Sequence, residues 1–438
     1  MTGRKTNLRK LALSLLTEYE ELGKYVNLSL SSHKTDGLSR EERSFLAALV
    51  YTAVEHKLTY DYYISALSGR GIEKIDKTTK NILRLGLCQL LDMKGVPPFA
   101  AINETVTLAR NVGERSFVNG ILRTADRRRD SLPLPSGTGA RHLSVKYSFP
   151  VWIVKRFTEL FGSLEAEKLL KKFNTVPPTD LTVNTNKISR EDFAKKLVSS
   201  GYSVELSEIS PLTVRVTGSV VPSELDGYSE GEFFVQDTAS ASAALTLGAR
   251  QGDTVIDVCA CPGGKTFAAA ISMNGAGDIT AFDIHESKLS LIESGALRLG
   301  LTVKTGVRDA RIPKSELFGT ADRVICDAPC SGLGVLAKKP DLRYKSEESV
   351  RELPALQYEI LTASSEYLKV GGRMVYSTCT LLPEENGEVV DRFLKEHEGF
   401  RAVDFSVGNY KSEGGKLTLY PHVHGTDGFF ISLVERIF

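Results

Sequence analysis

The sequence predicts a multidomain chain with an all-α helical domain over residues 1–130, a small α+β domain over residues 141–235, and a doubly wound α/β domain over residues 236–438. A length of 438 residues exceeds one ordinary core. Apolar residues recur at helical spacing through the first domain. The second shows a strand-helix-strand-strand order, and strands and helices alternate in the third, which is typical of a sheet covered on both faces.

The helical domain begins with well-marked helix signals. Ser39-Arg-Glu-Glu42 predicts a capping box, and further apolar stripes cover residues 82–91, 102–109 and 117–122. The domain carries 21 Lys and Arg against 15 Asp and Glu. This basic surplus indicates either contact with a phosphate backbone or a solvated helix face, and both interpretations stay open.

A linker and a small mixed domain follow. Ser131–Ala140 is rich in Pro, Gly and Ser, as linkers are. Beyond two helical stretches, the pattern predicts a strand at Leu181–Val183, a helix capped by Ser189, and two alternating strands at Tyr202–Leu206 and Leu212–Val216. This order is typical of a ferredoxin-like unit. We find no aromatic signature of an RNA-binding sheet in it.

Composition excludes several classes of protein. A net charge of +1 argues against a polycationic tail and against an acidic disordered chain. Arg4 and Lys5 precede an apolar run that is too short for a secretion signal and is followed at once by Glu18. No run reaches the roughly 18 apolar residues of a membrane span. We therefore expect a soluble, cytoplasmic protein without membrane contact, and its six cysteines do not suggest a disulfide framework. We also expect a monomer.

Polar residues follow the predicted strands of the α/β domain. Those strands cover residues 254–258, 279–283, 303–307, 323–326 and 373–377. Ligands of such sheets bind at the carboxyl ends of the strands. The residues at those ends are Asp257, Cys259 to Lys265, Asp283, Asp309, Asp327 to Cys330, and Cys379.

The loop after the first of these strands predicts a nucleoside-type ligand. It reads Cys259, Ala260, Cys261, Pro262, Gly263, Gly264 and Lys265. Its glycines let backbone N–H groups approach a ligand closely. A phosphate-binding Walker loop needs glycine where Cys259 stands, and the dinucleotide pattern is absent. Asp283, about 20 residues further on, suits the two hydroxyls of a ribose. An adenosine-type ligand without a pyrophosphate fits best, and S-adenosylmethionine is such a ligand.

Two cysteines predict covalent chemistry. Cys330 lies in Asp327-Ala-Pro-Cys330 and Cys379 in Tyr376-Ser-Thr-Cys379, each after a strand. A thiolate is a strong nucleophile. Carbon 5 of a pyrimidine accepts a methyl group only after a nucleophile adds at carbon 6, so two site thiols suit that reaction. Either thiol could instead be a small buried apolar residue.

These motifs resemble a known family. Phe117-Val-Asn-Gly-Ile-Leu-Arg123 and the order of helices resemble the NusB-type RNA-binding domain. The glycine loop, the two cysteine motifs and Phe233-Phe-Val-Gln-Asp-Thr-Ala239 resemble the RNA cytosine-5 methyltransferases, specifically the bacterial RsmB (Sun) type that acts on small-subunit ribosomal RNA. The resemblance covers almost the whole chain and implies a Rossmann-like methyltransferase domain at its end.

The resemblance also implies residue roles. S-adenosylmethionine would be bound by residues 259–265 with Asp283, Asp309 and Asp327. Cys379 would be the nucleophile, and Cys330 would assist release of the methylated base. Lys265 and Asp327 would also orient the cytosine. The implied partner is ribosomal RNA rather than DNA.

One residue departs from the family, which usually has alanine where Cys261 stands. A thiol fits that space and adds an oxidisable group. A zinc site at Cys259, Cys261, Cys326 and Cys330 is the inorganic alternative, but C-x-C and C-x-x-x-C are not the C-x-x-C spacing of zinc ribbons.

Two functional alternatives remain open. One is a cytosine-5 methyltransferase that acts on another RNA or on DNA, and a DNA enzyme would use a Pro-Cys motif such as Pro329-Cys330 for its nucleophile. A non-catalytic RNA-binding or antitermination factor would use only the helical domain. The extra Cys379 and the basic helical domain favour RNA over DNA, and the intact cofactor loop favours an enzyme.

Overall fold

Helices form the first of the two units into which the computed structural model divides. The structure describes residues 7–23, 26–30, 35–218 and 220–438. Unit 1 comprises Met1–Asn174 with Lys339–Tyr344, and unit 2 comprises Thr175–Lys338 with Lys345–Phe438. Arg4 and Lys5, which bear on the rejected secretion signal, lie outside the described residues. The limits 1–130, 141–235 and 236–438 stay a prediction.

Unit 1 contains nine α-helices among its described residues. They are α1 (Leu8–Leu22), α2 (Val26–Leu30), α3 (Arg40–Glu55), α4 (Lys57–Ser68), α5 (Lys77–Leu91), α6 (Pro98–Val106), α7 (Val112–Arg127), α8 (Ala140–Tyr147) and α9 (Val151–Phe173). The capping box at the start of α3 is confirmed, because Ser39 and Glu42 each bind the other's backbone N–H. Gly162, at φ 77°, interrupts α9, which matches the two predicted helical stretches. No helix in the described part of the chain is both long and apolar enough to cross a membrane.

Unit 1 also contains a short segment from late in the chain. Residues 339–344 belong to it, and Arg343 is fully buried there. Its guanidinium donates to the backbone carbonyls of Glu55 and Phe173, both at 3.2 Å, and lies 4.0 Å from the centre of the Phe149 ring. Burial lowers the pKa of Arg343, and the carbonyl oxygens compensate for the lost hydration.

A small antiparallel sheet begins unit 2. Its elements are β1 (Thr179–Val183), α10 (Arg190–Ser199), β2 (Ser203–Leu206), β3 (Thr213–Thr217) and β4 (Phe233–Val235). The strand order is β2-β3-β1-β4. The predicted strand-helix-strand-strand order is confirmed. Leu181, Val214 and Phe233 pack with Phe193 of α10 on one face, which leaves the polar residues of the strands on the other.

A second, larger sheet forms the centre of unit 2. The strands are β5 (Thr254–Asp257), β6 (Asp278–Asp283), β7 (Lys304–Val307), β8 (Ala321–Asp327), β9 (Leu368–Thr378), β10 (Phe400–Ala402), β13 (Lys416–Leu419) and β14 (Phe429–Arg436). Their order is β10-β14-β9-β8-β5-β6-β7, with β13 on β14. Strands β5 to β9 are parallel, whereas β14 is antiparallel to β9. The predicted doubly wound sheet is confirmed.

Helices cover this sheet on both faces. They are α11 (Thr238–Thr246), α12 (Gly264–Ser272), α13 (Glu286–Leu299), α14 (Glu347–Arg351), α15 (Leu353–Ser365), α16 (Gly387–Glu396) and α17 (Pro421–His424), and a hairpin of β11 (Ser406–Val407) and β12 (Tyr410–Lys411) lies near the end. One apolar core packs around Val255 and Phe267, and another packs around Val324 and Phe393. This layering makes the sheet rigid and leaves its loops to carry the polar groups.

Candidate active site

The polar groups meet where the strand order reverses. The chain runs from β5 outward to β7 and then returns to β8 on the other side of β5. Such a reversal opens a crevice at the carboxyl ends of the strands, which is where ligands bind in this class of fold. Asp257 ends β5 and Asp327 ends β8, so both carboxyl groups lie at this point.

Lys265 and Asp327 form an ion pair in the crevice. The Nζ of Lys265, in the first turn of α12, lies 2.7 Å from Oδ2 of Asp327. The Oγ of Ser377 donates to the other carboxylate oxygen at 2.7 Å. Lys265 is 8% exposed and its ammonium lies 5.0 Å from the centre of the Phe429 ring. The pair is therefore held in a fixed geometry by groups on three strands and a helix.

The two predicted cysteines are neighbours. The sulfur of Cys330, just after β8, lies 3.2 Å from the sulfur of Cys379, just after β9. Both residues are half-buried. The contact with Cys379 raises the pKa of Cys330 well above its usual value, and burial adds to this. Either sulfur can donate the hydrogen bond to the other.

A buried carboxylate joins the two cysteine loops. Glu385 accepts hydrogen bonds from the backbone N–H of Ser331 at 2.8 Å, from Gln357 Nε2 at 2.9 Å and from Thr380 Oγ1 at 3.1 Å. Ser331 follows Cys330 and Thr380 follows Cys379, and the Oγ atoms of Ser331 and Thr380 are 2.7 Å apart. Glu385 therefore fixes the separation of the two sulfurs.

A glycine contact also fixes the Cys379 loop. The N–H of Gly334 donates to the Cys379 carbonyl at 2.9 Å, and the N–H of Gly428 donates to the Gly334 carbonyl at 2.8 Å. A Cβ at position 334 would lie only 1.9 Å from the Gly428 oxygen. Only glycine allows these backbones to approach so closely.

Two buried oxygens in the crevice have no hydrogen-bond partner among the described residues. One is Oδ1 of Asp257, whose Oδ2 accepts from Thr266 Oγ1 at 2.6 Å. The other is Oε1 of Gln236, whose amide lies next to Gly264. Burial raises the pKa of Asp257 to about 7. Because buried acceptors are normally satisfied, both oxygens fit a bound ligand that donates hydrogen bonds.

The carboxylate of Asp283 lies beside the glycine loop. It accepts from the backbone N–H of Cys261 at 3.3 Å and from that of His285 at 2.9 Å. Asp309 instead binds the Arg311 guanidinium through both oxygens, which lowers the pKa of Asp309. The carboxylate of Asp283 is thus positioned by backbone groups and fits a ligand with paired hydroxyls.

The cysteines make no metal site with the described residues. Within the described ranges none of the six cysteines forms a disulfide, and no group of three or more His, Cys, Asp or Glu side chains is arranged to hold a metal ion. Burial raises the pKa values of Cys259, Cys261 and Cys326. The Sγ of Cys261 donates to the backbone oxygen of Lys288 at 3.6 Å, so this thiol lies at the edge of the glycine loop.

Sequence reasoning missed a second ion cluster near the crevice. The ammonium of Lys338 lies 2.7 Å from Asp237 and 2.9 Å from Asp427. Burial raises the pKa of Asp427 well above its usual value, and the neighbouring Asp237 charge adds to this. Asp237 lies in the family motif at residues 233–239 and is a typical N-cap residue, so the sequence could have marked it as important. Lys338 carried no such signal.

Comparison with protein families assigns all three parts of the chain. Residues 6–127 match the NusB family, residues 149–221 match the ferredoxin-like domain of RsmF/B-like methyltransferases, and residues 244–435 match the family described as 16S rRNA methyltransferase RsmB/F. The predicted helical, ferredoxin-like and methyltransferase architecture is confirmed. The alternative of a non-catalytic RNA-binding factor is wrong, since the matched family is enzymatic.

Full-length relatives and solved structures are also similar to this chain. The chain is 35% identical to the probable ribosomal RNA small subunit methyltransferase B of Bacillus subtilis over 99% of both chains, and 29% identical to the Pectobacterium carotovorum enzyme over 98% of this chain and 99% of that one. It is similar to the crystal structure of PH0851 with a TM-score of 0.82, 26% identity and full coverage of both chains. The structure of NSun6 from Pyrococcus horikoshii with SFG has a TM-score of 0.60 and 25% identity and covers 67% of this chain and 99% of that one.

Proposed function

Because the chain belongs to the ribosomal RNA small subunit methyltransferase B family, we propose that it transfers a methyl group from S-adenosylmethionine to carbon 5 of a cytidine in small-subunit ribosomal RNA. The cofactor would occupy the crevice at β5 and β6, held by residues 259–265, Asp283, Asp309 and Asp327. Bound there, it supplies an electrophilic methyl group. The unpartnered Oδ1 of Asp257 supports a ligand at this point.

The cysteine pair would activate the base. The Cys379 thiolate adds to carbon 6 of the cytosine, and the electron pair of the C5–C6 double bond becomes available at carbon 5 for methyl transfer. The C5–H bond then breaks, its electron pair restores the C5–C6 double bond, and the bond from carbon 6 to the Cys379 sulfur breaks with its electrons on that sulfur. The Cys330 thiol donates its proton to the departing Cys379 sulfur, and the Cys330 thiolate so formed accepts the proton from carbon 5, so both cysteines end as thiols.

The ion pair of Lys265 and Asp327 would orient the base. The ammonium and the carboxylate lie 2.7 Å apart in the crevice, so they offer a donor and an acceptor at fixed positions. A cytosine presents an acceptor at N3 and a donor at its exocyclic amine, and this pattern matches the pair.

The observation that carries the proposal is the 3.2 Å contact between the sulfurs of Cys330 and Cys379. A solitary nucleophile needs no second thiol. Two thiols that reach the same carbon–carbon bond can divide addition and release between them. This arrangement favours the RNA enzyme over the DNA cytosine methyltransferase, which would use Cys330 as its nucleophile.

The test separates the two cysteines by the step each serves. Purified Cys330→Ala and Cys379→Ala are incubated with labelled S-adenosylmethionine and unmethylated small-subunit ribosomal RNA. Cys379→Ala should transfer no methyl group and form no adduct. Cys330→Ala should accumulate an RNase-sensitive, slowly migrating band on a denaturing gel.

Matched controls complete the design. Cys88→Ala removes a buried thiol in unit 1 and should behave as the unmodified protein. Duplex DNA replaces RNA in a parallel reaction and should accept no label. An adduct that persists in Cys379→Ala and is absent in Cys330→Ala would exchange the two roles and favour the DNA-enzyme arrangement.

A further inference from the structure

A polar cavity lies in unit 2, apart from the crevice that holds the cysteines. Its volume is about 260 Å³. The small antiparallel sheet forms one wall through Glu205 and Arg215, and the hairpin of β11 and β12 and the short helix α17 form the other through Tyr410 and His424. None of these residues has a role in the chemistry described above.

A carboxylate and a guanidinium stand side by side in this cavity. Glu205 on β2 is paired directly with Arg215 on β3, and Arg215 is paired with Asp180 on β1. The Arg215 Nε and Nη2 atoms bind Asp180 at 2.8 and 3.2 Å, which fixes the plane of the guanidinium. No protein acceptor binds Arg215 Nη1 within the described residues. The sheet thus presents one acceptor and one donor on the same face.

Aromatic rings form the opposite wall. The Tyr410 and His424 ring centres are 4.4 Å apart in an edge-on contact, and the Tyr420 and His424 rings are stacked with their centres 6.0 Å apart. His424 Nδ1 lies 2.7 Å from the backbone nitrogen of Tyr420 and 3.2 Å from its carbonyl oxygen, which fixes the orientation of the ring. Burial lowers the pKa of His424, in keeping with a neutral ring. This wall offers aromatic surface and the imidazole of His424 to a ligand.

We propose that this cavity binds a single guanine base of the RNA strand that carries the target nucleotide. Guanine has adjacent donors at N1 and N2, which a carboxylate such as that of Glu205 accepts together. It also has acceptors at O6 and N7, and the remaining Nη1 of Arg215 can donate to one of them. An unpaired base held between aromatic and charged groups is a common mode of RNA recognition. Adenine and cytosine lack the pair of donors.

The cavity lies within reach of the reaction crevice along the same strand of RNA. His424 in the cavity and Phe429, whose ring contacts Lys265, are five residues apart, which limits their separation to about 18 Å. Asp180, which holds the Arg215 guanidinium, also accepts hydrogen bonds from the N–H and Oγ1 of Thr238, the residue after Asp237. A guanine a few nucleotides from the target can therefore occupy the cavity. This part of the inference rests on the proposed function.

The experiment measures nucleotide binding by the full chain without any methyl transfer. Guanosine, inosine and adenosine 5′-monophosphates are titrated and followed by saturation-transfer NMR, with the demethylated cofactor product present at saturation to fill the cofactor site. Inosine lacks the N2 amine and should bind about tenfold more weakly than guanosine, because the Glu205 carboxylate then accepts from one donor instead of two. Adenosine should bind more weakly still.

The matched variants locate the effect. Glu205→Gln should bring the ratio of guanosine to inosine affinity close to one, whereas Glu413→Gln, an exposed glutamate that does not line the cavity, should leave the ratio unchanged. Tyr410→Ala should weaken guanosine and inosine alike. Equal affinities of the unmodified protein for guanosine and inosine, or a ratio that survives Glu205→Gln, would overturn the proposal. Failure of the cysteine experiment would leave this result standing, so the two proposals are judged separately.

Discussion

Replacement of Glu385 should destabilise unit 2 strongly. The carboxylate is fully buried and accepts hydrogen bonds from three donors. For two of them, the Ser331 N–H and one Gln357 N–H, Glu385 is the only acceptor among the described residues. Glu385→Ala leaves these two donors unsatisfied, and each costs about 1–3 kcal/mol, so the free energy of unfolding should fall by about 2–6 kcal/mol.

Glu385→Gln is the matched control. An amide oxygen can accept from both Ser331 and Gln357, as the carboxylate oxygen Oε2 does now. The amide nitrogen would then face Thr380 Oγ1, which can accept because its own proton can go to Ser331 Oγ. The Gln variant should therefore lose much less stability than the Ala variant.

Hydrogen exchange in β9 is the assay. The one tryptophan, Trp152, lies in unit 1, so fluorescence does not follow unit 2. Amide protection at Ser377 and Thr378 should fall by about 30-fold to about 25,000-fold in Glu385→Ala, at about 1.36 kcal/mol for each factor of ten. Protection within threefold of the unmodified protein, or an equal loss in Glu385→Gln, would refute the reasoning.

Three further predictions concern the ligands and the charge state. Asp283→Ala should weaken binding of the demethylated cofactor product about tenfold to a thousandfold by calorimetry while RNA affinity is retained, and an unchanged cofactor affinity would reject the ribose role. Substitution of exposed Arg127, Arg128 and Arg129 by Gln should weaken RNA binding and leave cofactor affinity unchanged. The slope of log affinity against log salt concentration should become shallower by about 0.7 for each phosphate that the protein no longer neutralises. An unchanged slope would assign these arginines to a solvated helix face. The pKa of Asp257 is raised to about 7, so between about pH 4 and 7 the folded state binds more protons than the unfolded state at this carboxyl, and its contribution to stability increases as pH falls through this range. Asp257→Asn should remove that part of the pH dependence, up to about 4 kcal/mol, in denaturation monitored by exchange in β5, and an identical pH profile would contradict it.

The helices and strands that depend on short-range sequence patterns were predicted correctly. The capping box at Ser39 and the strands that end at Asp257, Asp283 and Asp327 follow from short-range chemistry and alternation. The antiparallel strand β14 was not predicted, because its continuous burial gives no alternation that distinguishes a strand from a buried helix.

The site was predictable in part for a similar reason. Cys330 and Cys379 could be expected near one another, since both follow strands of one sheet. Glu385 could not, because an acidic residue after Pro383 is typical of an ordinary helix start, and its role depends on how two loops fold onto it. The Lys338 cluster likewise joins residues about 100 and 90 positions away, which no pattern in one sequence reveals.

The burial of Arg343 in unit 1 has a consequence for the order of events during synthesis. Residues 175–338 separate this arginine from the end of the main part of unit 1. At about 5–20 residues per second, a ribosome needs about 8–35 s to make that stretch after Asn174. Throughout that interval the carbonyls of Glu55 and Phe173 lack the guanidinium that binds them in the finished protein. Unit 1 is therefore synthesised early but is completed only when residue 343 has been made. In a nascent chain arrested before residue 343, unit 1 should be cleaved by proteases more readily than in the released protein.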